Sequence, residues 1–274
     1  MGTLKLRRRR SALAAGLATI AMAVGLAAVP AQAIDKTDYV ALGDSFAAGQ
    51  GAGPYKNDTC YRSENTYSEL AADTKAIKLI KNAACSGNTT QDVVGSQPHQ
   101  LKTTTELVTI TAGGNNLGFG DIVTSCGAAD PDLVEACARA SAAAASRIGS
   151  GQLAGEVAAM IQSVQAAAPN AKIVVTGYPY LFDPIPAGLT DPMSQFIYQA
   201  TDLADGLNGS IALAAWETKV QFVDVGPAFA GHGINSNAPW INGATGNADG
   251  FHPNAEGYLA YYTAMKADGA YSAP

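Results

Sequence analysis

Five short apolar runs rich in Val and Ile, residues 39–42, 77–80, 107–111, 173–176 and 222–225, constrain this chain more than any other feature. A strand exposed on one face alternates apolar and polar residues; these runs read instead as strands buried on both faces. Between them lie helical patterns. In residues 152–168, Leu153, Val157, Met160, Ile161 and Val164 fall at i, i+4, i+7, i+8 and i+11, and Pro169 closes the segment. Residues 192–219 read as one long helix or two shorter ones. Asn254 caps a last helix, with Tyr258, Leu259, Tyr262 and Met265 expected on its inner side. The Ala-rich region 126–151 is also expected to be helical. Strands alternating with helices predict an α/β domain: a five-stranded parallel sheet in a flavodoxin-like three-layer α/β/α sandwich with right-handed crossovers.

The first 33 residues stand apart from this pattern. Lys5 and Arg7 to Arg10 form a basic start, residues 12–29 are apolar, and Ala31-Gln32-Ala33 supplies small residues for cleavage. That is the build of a secretory signal peptide cleaved after about Ala33, and polar chain with no stop-transfer pattern follows it. The four arginines leave both the general and the twin-arginine export routes open. The expected mature domain, 34–274, is long enough for one sizeable core. Losing the five leader cations moves the formal net charge from −6 to about −11. An acidic chain without a basic cluster is a poor partner for nucleic acid or anionic membrane. A monomer is the default expectation.

Four cysteines remain, Cys60, Cys85, Cys126 and Cys137. In an exported chain they read as two disulfides; three pairings are possible in principle, and local pairing is the simplest. A zinc site is the rival, but no C-x-x-C or H-x-x-H spacing supports it.

In a parallel sheet, function gathers where the strands end. Gly43-Asp44-Ser45-Phe46 follows the first strand, Cys85-Ser86-Gly87-Asn88-Thr89 the second, and Gly113-Gly114-Asn115-Asn116 the third. Each segment alone is ordinary turn chemistry; three in succession call for a site. A serine nucleophile at Ser45 needs a base, and the chain has only three histidines. His99 lies in a polar connection and His232 in a glycine-flanked loop. His252 precedes the last helix, with Asp249 three residues before it, near enough to orient the ring.

These segments resemble the sequence blocks of the GDSL family of serine hydrolases in the SGNH superfamily, most of all the secreted actinomycete lipases and esterases. GDSF resembles the first block, Gly87 falls at the glycine of the second, GGNN resembles the third and DGFHP the last. Order and spacing match over nearly all of the expected mature chain. The resemblance implies Ser45 as nucleophile and His252 as base. It further implies an oxyanion hole of the Ser45 N–H, the Gly87 N–H and the Asn115 side-chain amide. It implies the pairings Cys60–Cys85 and Cys126–Cys137, and no metal or organic cofactor. Asp249, present and correctly spaced, completes the expected triad, although some relatives use a backbone carbonyl in its place. Asn116 stands where the third block ends in Asp; it is not among the donors, so activity is expected to survive.

The expected activity is hydrolysis of acyl esters, of lipids or short-chain acids. Phospholipase A-type and carbohydrate acetyl esterase activities are alternatives on the same site. A secreted binding module would require Ser45, Gly87, Asn115 or His252 to be impaired, and all four are present. A nucleotide-binding reading of GQGAG fails on glycine spacing. Phe46, Leu117, Phe119, Tyr180 and Trp240 are the candidate rim of an acyl pocket.

Overall fold

The computed structural model describes residues 35–272 apart from 57–58, 128–130 and 245. The signal segment expected over residues 1–33 lies outside the described residues. Five parallel strands form one sheet: β1 (Thr37–Gly43), β2 (Ile77–Asn82), β3 (Leu107–Thr111), β4 (Lys172–Thr176) and β5 (Gln221–Val223). Their order is β2-β1-β3-β4-β5, the flavodoxin-like doubly wound arrangement.

The helices, in chain order, are α1 (Ser45–Ala48), α2 (Tyr67–Ala72), α3 (Thr90–Ser96), α4 (Phe119–Cys126), α5 (Val134–Gly149), α6 (Gln152–Ala167), α7 (Pro192–Thr218) and α8 (Ala255–Ala267). The chain runs outward from β1 to β2, then back through β3 to β5. Right-handed crossovers therefore place α2 with α8 on one face and α3, α6 and α7 on the other. The segment 192–219 is a single helix. Pro192 opens α7 at a position where no backbone donor is needed, and the Asp191 carboxylate accepts from the Ser194 N–H at 3.0 Å.

Every residue of β3 is buried, as its unbroken apolar run requires. Two expectations are corrected here. β2 is an edge strand, paired on one side only, and Lys78, Ile80 and Lys81 face outward. The two lysines discourage further strands from adding there. On α8 the inward positions belong to Tyr258, Tyr261 and Met265, while Leu259 is 54% exposed. Tyr261 takes the inner face because its hydroxyl has buried partners: it donates to the Gly177 carbonyl at 2.7 Å and lies 2.6 Å from Thr176 Oγ1. Leucine has nothing to offer that polar seam through the sheet. Tyr67 and Thr111 extend the seam, so the buried threonines are not left unpaired.

Disulfides join Cys60 to Cys85 and Cys126 to Cys137. The first ties the loop after α1 to the segment that carries Gly87. The second staples α4 to α5.

Candidate active site

The C-terminal strand ends bring four segments together. At the end of β1, Gln97 brackets Gly43, accepting from its N–H and donating to its carbonyl, both at 2.8 Å. Asp44 then caps α1 through the Phe46 N–H, and Ser45 becomes the first helical residue. After β2, Thr89 and Asp92 form a reciprocal capping box that starts α3 directly behind Gly87-Asn88. Asn254 caps α8 two residues after His252. Each site segment is thus fixed by a strand end, a helix start or both.

Ser45 and His252 are both buried, and the Ser45 Oγ lies 2.9 Å from His252 Nε2. His252 Nδ1 lies 2.8 Å from the Gly250 carbonyl. A carbonyl only accepts, so the proton of the neutral ring sits on Nδ1 and Nε2 is left free to accept from the serine hydroxyl. Burial pushes the imidazole below its ordinary 6.5, against the opposing pull of the Gly250 carbonyl and the Asp249 charge. The ring is enclosed by Phe46 and Phe119, with centroids 5.2 and 6.2 Å away.

Asp249 is not the partner of Nδ1, which corrects the expected contact. The turn folds the Gly250 carbonyl back onto the ring two residues ahead, while the Asp249 carboxylate accepts from the Tyr55 hydroxyl. Tyr55 in turn accepts from the Gly51 N–H at 2.7 Å. Asp249 therefore ties the histidine loop to the loop after α1, and its carboxylate acts on the imidazole through its charge and not through a hydrogen bond to the ring. The loop is further held by pairing between Asn242 and residues Phe251 and His252, at 2.8 and 2.9 Å. Phe251 adopts φ +61°, a strained conformation for a bulky residue, of the kind that concentrates at functional sites.

Two glycines serve this geometry in different ways. A Cβ on Gly51 would lie 2.4 Å from the Pro253 carbonyl oxygen and 2.9 Å from His252 Cβ, so only glycine lets the two loops touch. At Gly87 a Cβ would meet no protein atom within 4 Å. What requires glycine there is its φ of +82°.

The Asn115 amide donates to the Asn88 carbonyl at 2.9 Å, which fixes its plane and leaves its second N–H available. Among the described residues nothing accepts from the N–H groups of Ser45 or Gly87. Asn116 is explained by its surroundings. Its amide nitrogen lies 2.7 Å from Glu156 Oε2, and Glu156 also binds Arg147. An aspartate would set two carboxylates against each other. Burial raises the Glu156 carboxyl, but donation from Asn116, Gln152 and Arg147 outweighs it and holds the group below its ordinary range.

Two recesses meet at Ser45. One is apolar and lies between α4 and α7, with Phe46, Leu117, Phe119, Ile122, Phe196 and Leu207 on its walls. The other is a mixed cleft past Gln50, Ser86, Gly87 and Asn247. Of the candidate rim residues, Phe46, Leu117 and Phe119 line the apolar recess. Tyr180 instead donates to Asp205, and Trp240 stacks on His232 at 3.4 Å between centroids. His99 ends up in a short turn before β3, and the histidine that contacts Ser45 is His252.

Sequence reasoning missed two buried polar residues here. Gln50 accepts from Ser86 Oγ at 2.5 Å and donates to the Ala248 carbonyl. Tyr178 follows β4, and its hydroxyl links the turns after β1 and β3. The signal for Tyr178 was available: Gly177-Tyr178-Pro179 is a fourth strand end, following β4 as the other segments follow their strands.

Comparison with known proteins identifies the family. The GDSL-like Lipase/Acylhydrolase family matches residues 41–260. A lipase of Streptomyces rimosus is 35% identical over 94% of this chain and 97% of its own. Lipase 1 of Streptomyces coelicolor is 34% identical over 91% and 92%. Among solved structures, the extracellular lipase of Streptomyces rimosus superposes with a TM-score of 0.77 at 33% identity, covering 84% of this chain and 99% of that one. Phospholipase A1 of Streptomyces albidoflavus gives 0.74 at 33% identity, over 85% and 99%. An acetyl-xylooligosaccharide esterase of Geobacillus, at 15% identity and a TM-score of 0.51, shares the fold. The chain belongs to the GDSL-like Lipase/Acylhydrolase family and is a carboxylic ester hydrolase of the lipase/esterase kind.

Proposed function

We propose that the chain is a secreted esterase or lipase that hydrolyses acyl esters through an acyl-enzyme on Ser45. The observation that carries this reading is the 2.9 Å contact between Ser45 Oγ and an imidazole whose other nitrogen is already engaged, at the mouth of an apolar recess. Ser45 Oγ bonds to the ester carbonyl carbon as its proton passes to His252 Nε2. The tetrahedral oxyanion takes hydrogen bonds from the Ser45 and Gly87 N–H groups and the free N–H of Asn115. Collapse breaks the ester C–O bond, and His252 returns the proton to the departing alcohol. Water then repeats the sequence on the acyl-enzyme, releasing the acid and restoring Ser45.

The apolar recess takes the acyl chain. At roughly 0.8 kcal/mol for each buried CH₂, medium chains outcompete acetate. The similarity to a phospholipase A1 supports phospholipids as a second substrate class on the same site. Export rests on the leader-like residues 1–33 and on the similarity to an extracellular lipase. Among the described residues no helix is long and apolar enough to cross a membrane.

Ser45→Ala is expected to fold normally and to lose at least about a thousandfold in hydrolysis of p-nitrophenyl octanoate. Activity near wild type in that variant would refute the assignment. Profiling acyl chains from acetyl to palmitoyl, with phosphatidylcholine and acetylxylan alongside, identifies the preferred ester.

A further inference from the structure

Tyr178, at the end of β4, reaches across the end of β3 to the end of β1. Its hydroxyl donates to Asp44 Oδ2 and accepts from the Gly114 N–H at 3.1 Å. Asp44 immediately precedes Ser45, and Gly114 immediately precedes Asn115. One buried oxygen therefore joins the turn bearing the nucleophile to the turn bearing the side-chain oxyanion donor. The ring adds a second tie, packing edge-on against Phe46 with centroids 4.9 Å apart, so both neighbours of Ser45 touch it. The tyrosine itself is pinned by α7: Asn208 accepts from the Tyr178 N–H at 2.8 Å and donates to its carbonyl at 2.9 Å. Its ring also forms part of the wall of the apolar recess.

We propose that Tyr178 is a positioning residue, a strut from α7 that sets the separation of Ser45 from Asn115 and thereby tunes the transition state rather than substrate binding. The physical reason is that the two turns share no direct hydrogen bond among the described residues. The Asp44 N–H reaches the Thr111 carbonyl at the end of β3 at 2.9 Å, but Asn115 lies four residues beyond that strand end, on a turn of its own. The hydroxyl supplies the missing constraint between buried groups, with Asp44 1% and Tyr178 5% exposed. Misplacement of a reacting group by about 1 Å is enough to cost two orders of magnitude in rate.

The inference rests on the roles proposed for Ser45 and Asn115. Its test is Tyr178→Phe, which keeps the ring, the recess wall and the Phe46 contact and removes only the shared oxygen. With p-nitrophenyl octanoate, kcat is expected to fall between about tenfold and a hundredfold, with KM within about threefold of wild type. A merely structural tyrosine would lower the melting temperature and leave kcat alone. Asp44→Asn, which also breaks the strut, should lower kcat, and the Asp44→Asn/Tyr178→Phe double variant should be no slower than the slower single. Wild-type kcat in Tyr178→Phe, a loss confined to KM, or additive losses in the double variant would each overturn the strut. Ser45→Ala run alongside separates the two ideas: turnover surviving there removes the nucleophile assignment, whereas an inactive Ser45→Ala beside an unaffected Tyr178→Phe removes the strut alone.

Discussion

Asp44 is 1% exposed, and its two oxygens accept from the Phe46 N–H and the Tyr178 hydroxyl. Burial dominates these bonds and pushes the carboxyl from its ordinary 3.8 to about 7. The unfolded chain therefore releases this proton near pH 4, while the folded protein keeps it until near neutrality. Between those values the unfolded state gains stability that the folded state does not. The Asp44 contribution is thus most favourable at pH 4 and is lost as the pH rises towards 7. At 1.36 kcal/mol per pKa unit the loss amounts to about 4 kcal/mol. Asp44→Asn does not titrate and keeps an acceptor for the Phe46 N–H. It deprives the Tyr178 hydroxyl of its acceptor, a cost of about 1–3 kcal/mol that does not change with pH. The stability of the variant relative to wild type should therefore be about 4 kcal/mol more favourable at pH 8 than at pH 4. Urea unfolding followed by tryptophan fluorescence at both pH values reads this difference directly, because all other titrating groups are common to both proteins. A relative stability that is the same at both pH values to within about 1 kcal/mol would refute the reasoning.

Three further outcomes follow from the histidine loop. Catalysis needs a neutral imidazole, and burial lowers the His252 pKa, so the acid limb of kcat/KM should have its midpoint below pH 6.5. A midpoint at or above 6.5 contradicts the buried, carbonyl-held ring. Asp249→Asn leaves the Gly250 carbonyl on Nδ1, so turnover should stay within about tenfold of wild type, and losing the charge should move the acid limb further down. A loss near the ten-thousandfold seen when a true triad aspartate is changed would restore Asp249 to the triad. Gly51→Ala drives a Cβ into the Pro253 carbonyl and against His252, and kcat/KM should fall at least about a hundredfold. Activity retained with an unchanged melting temperature would mean that the two loops part freely.

The sequence by itself determined the sheet and the identity of the chemistry. Unbroken apolar runs such as residues 107–111 have one stable use, a strand covered on both faces, and five of them alternating with helices leave few topologies. Ser45, Gly87, Asn115 and His252 were picked out because their segments, in order and spacing, resemble the sequence blocks of the GDSL family; local turn chemistry alone left each of them open. It could not show which side chain answers which. Asp249 has the right spacing to hold His252, yet the fold of one turn hands that task to the Gly250 carbonyl and sends the carboxylate to Tyr55. Leu259 and Tyr261 are both apolar enough to face inward, and the choice fell to the hydroxyl that completes a seam with Thr176 and Gly177. Tyr178 carries no motif, and its part depends on Asp44, Gly114 and Asn208, between 30 and 134 residues away along the chain. Hydrophobic periodicity is a property of neighbours in sequence and survives in the string of letters. The satisfaction of buried polar groups is a property of neighbours in space, and only the tertiary structure decides it.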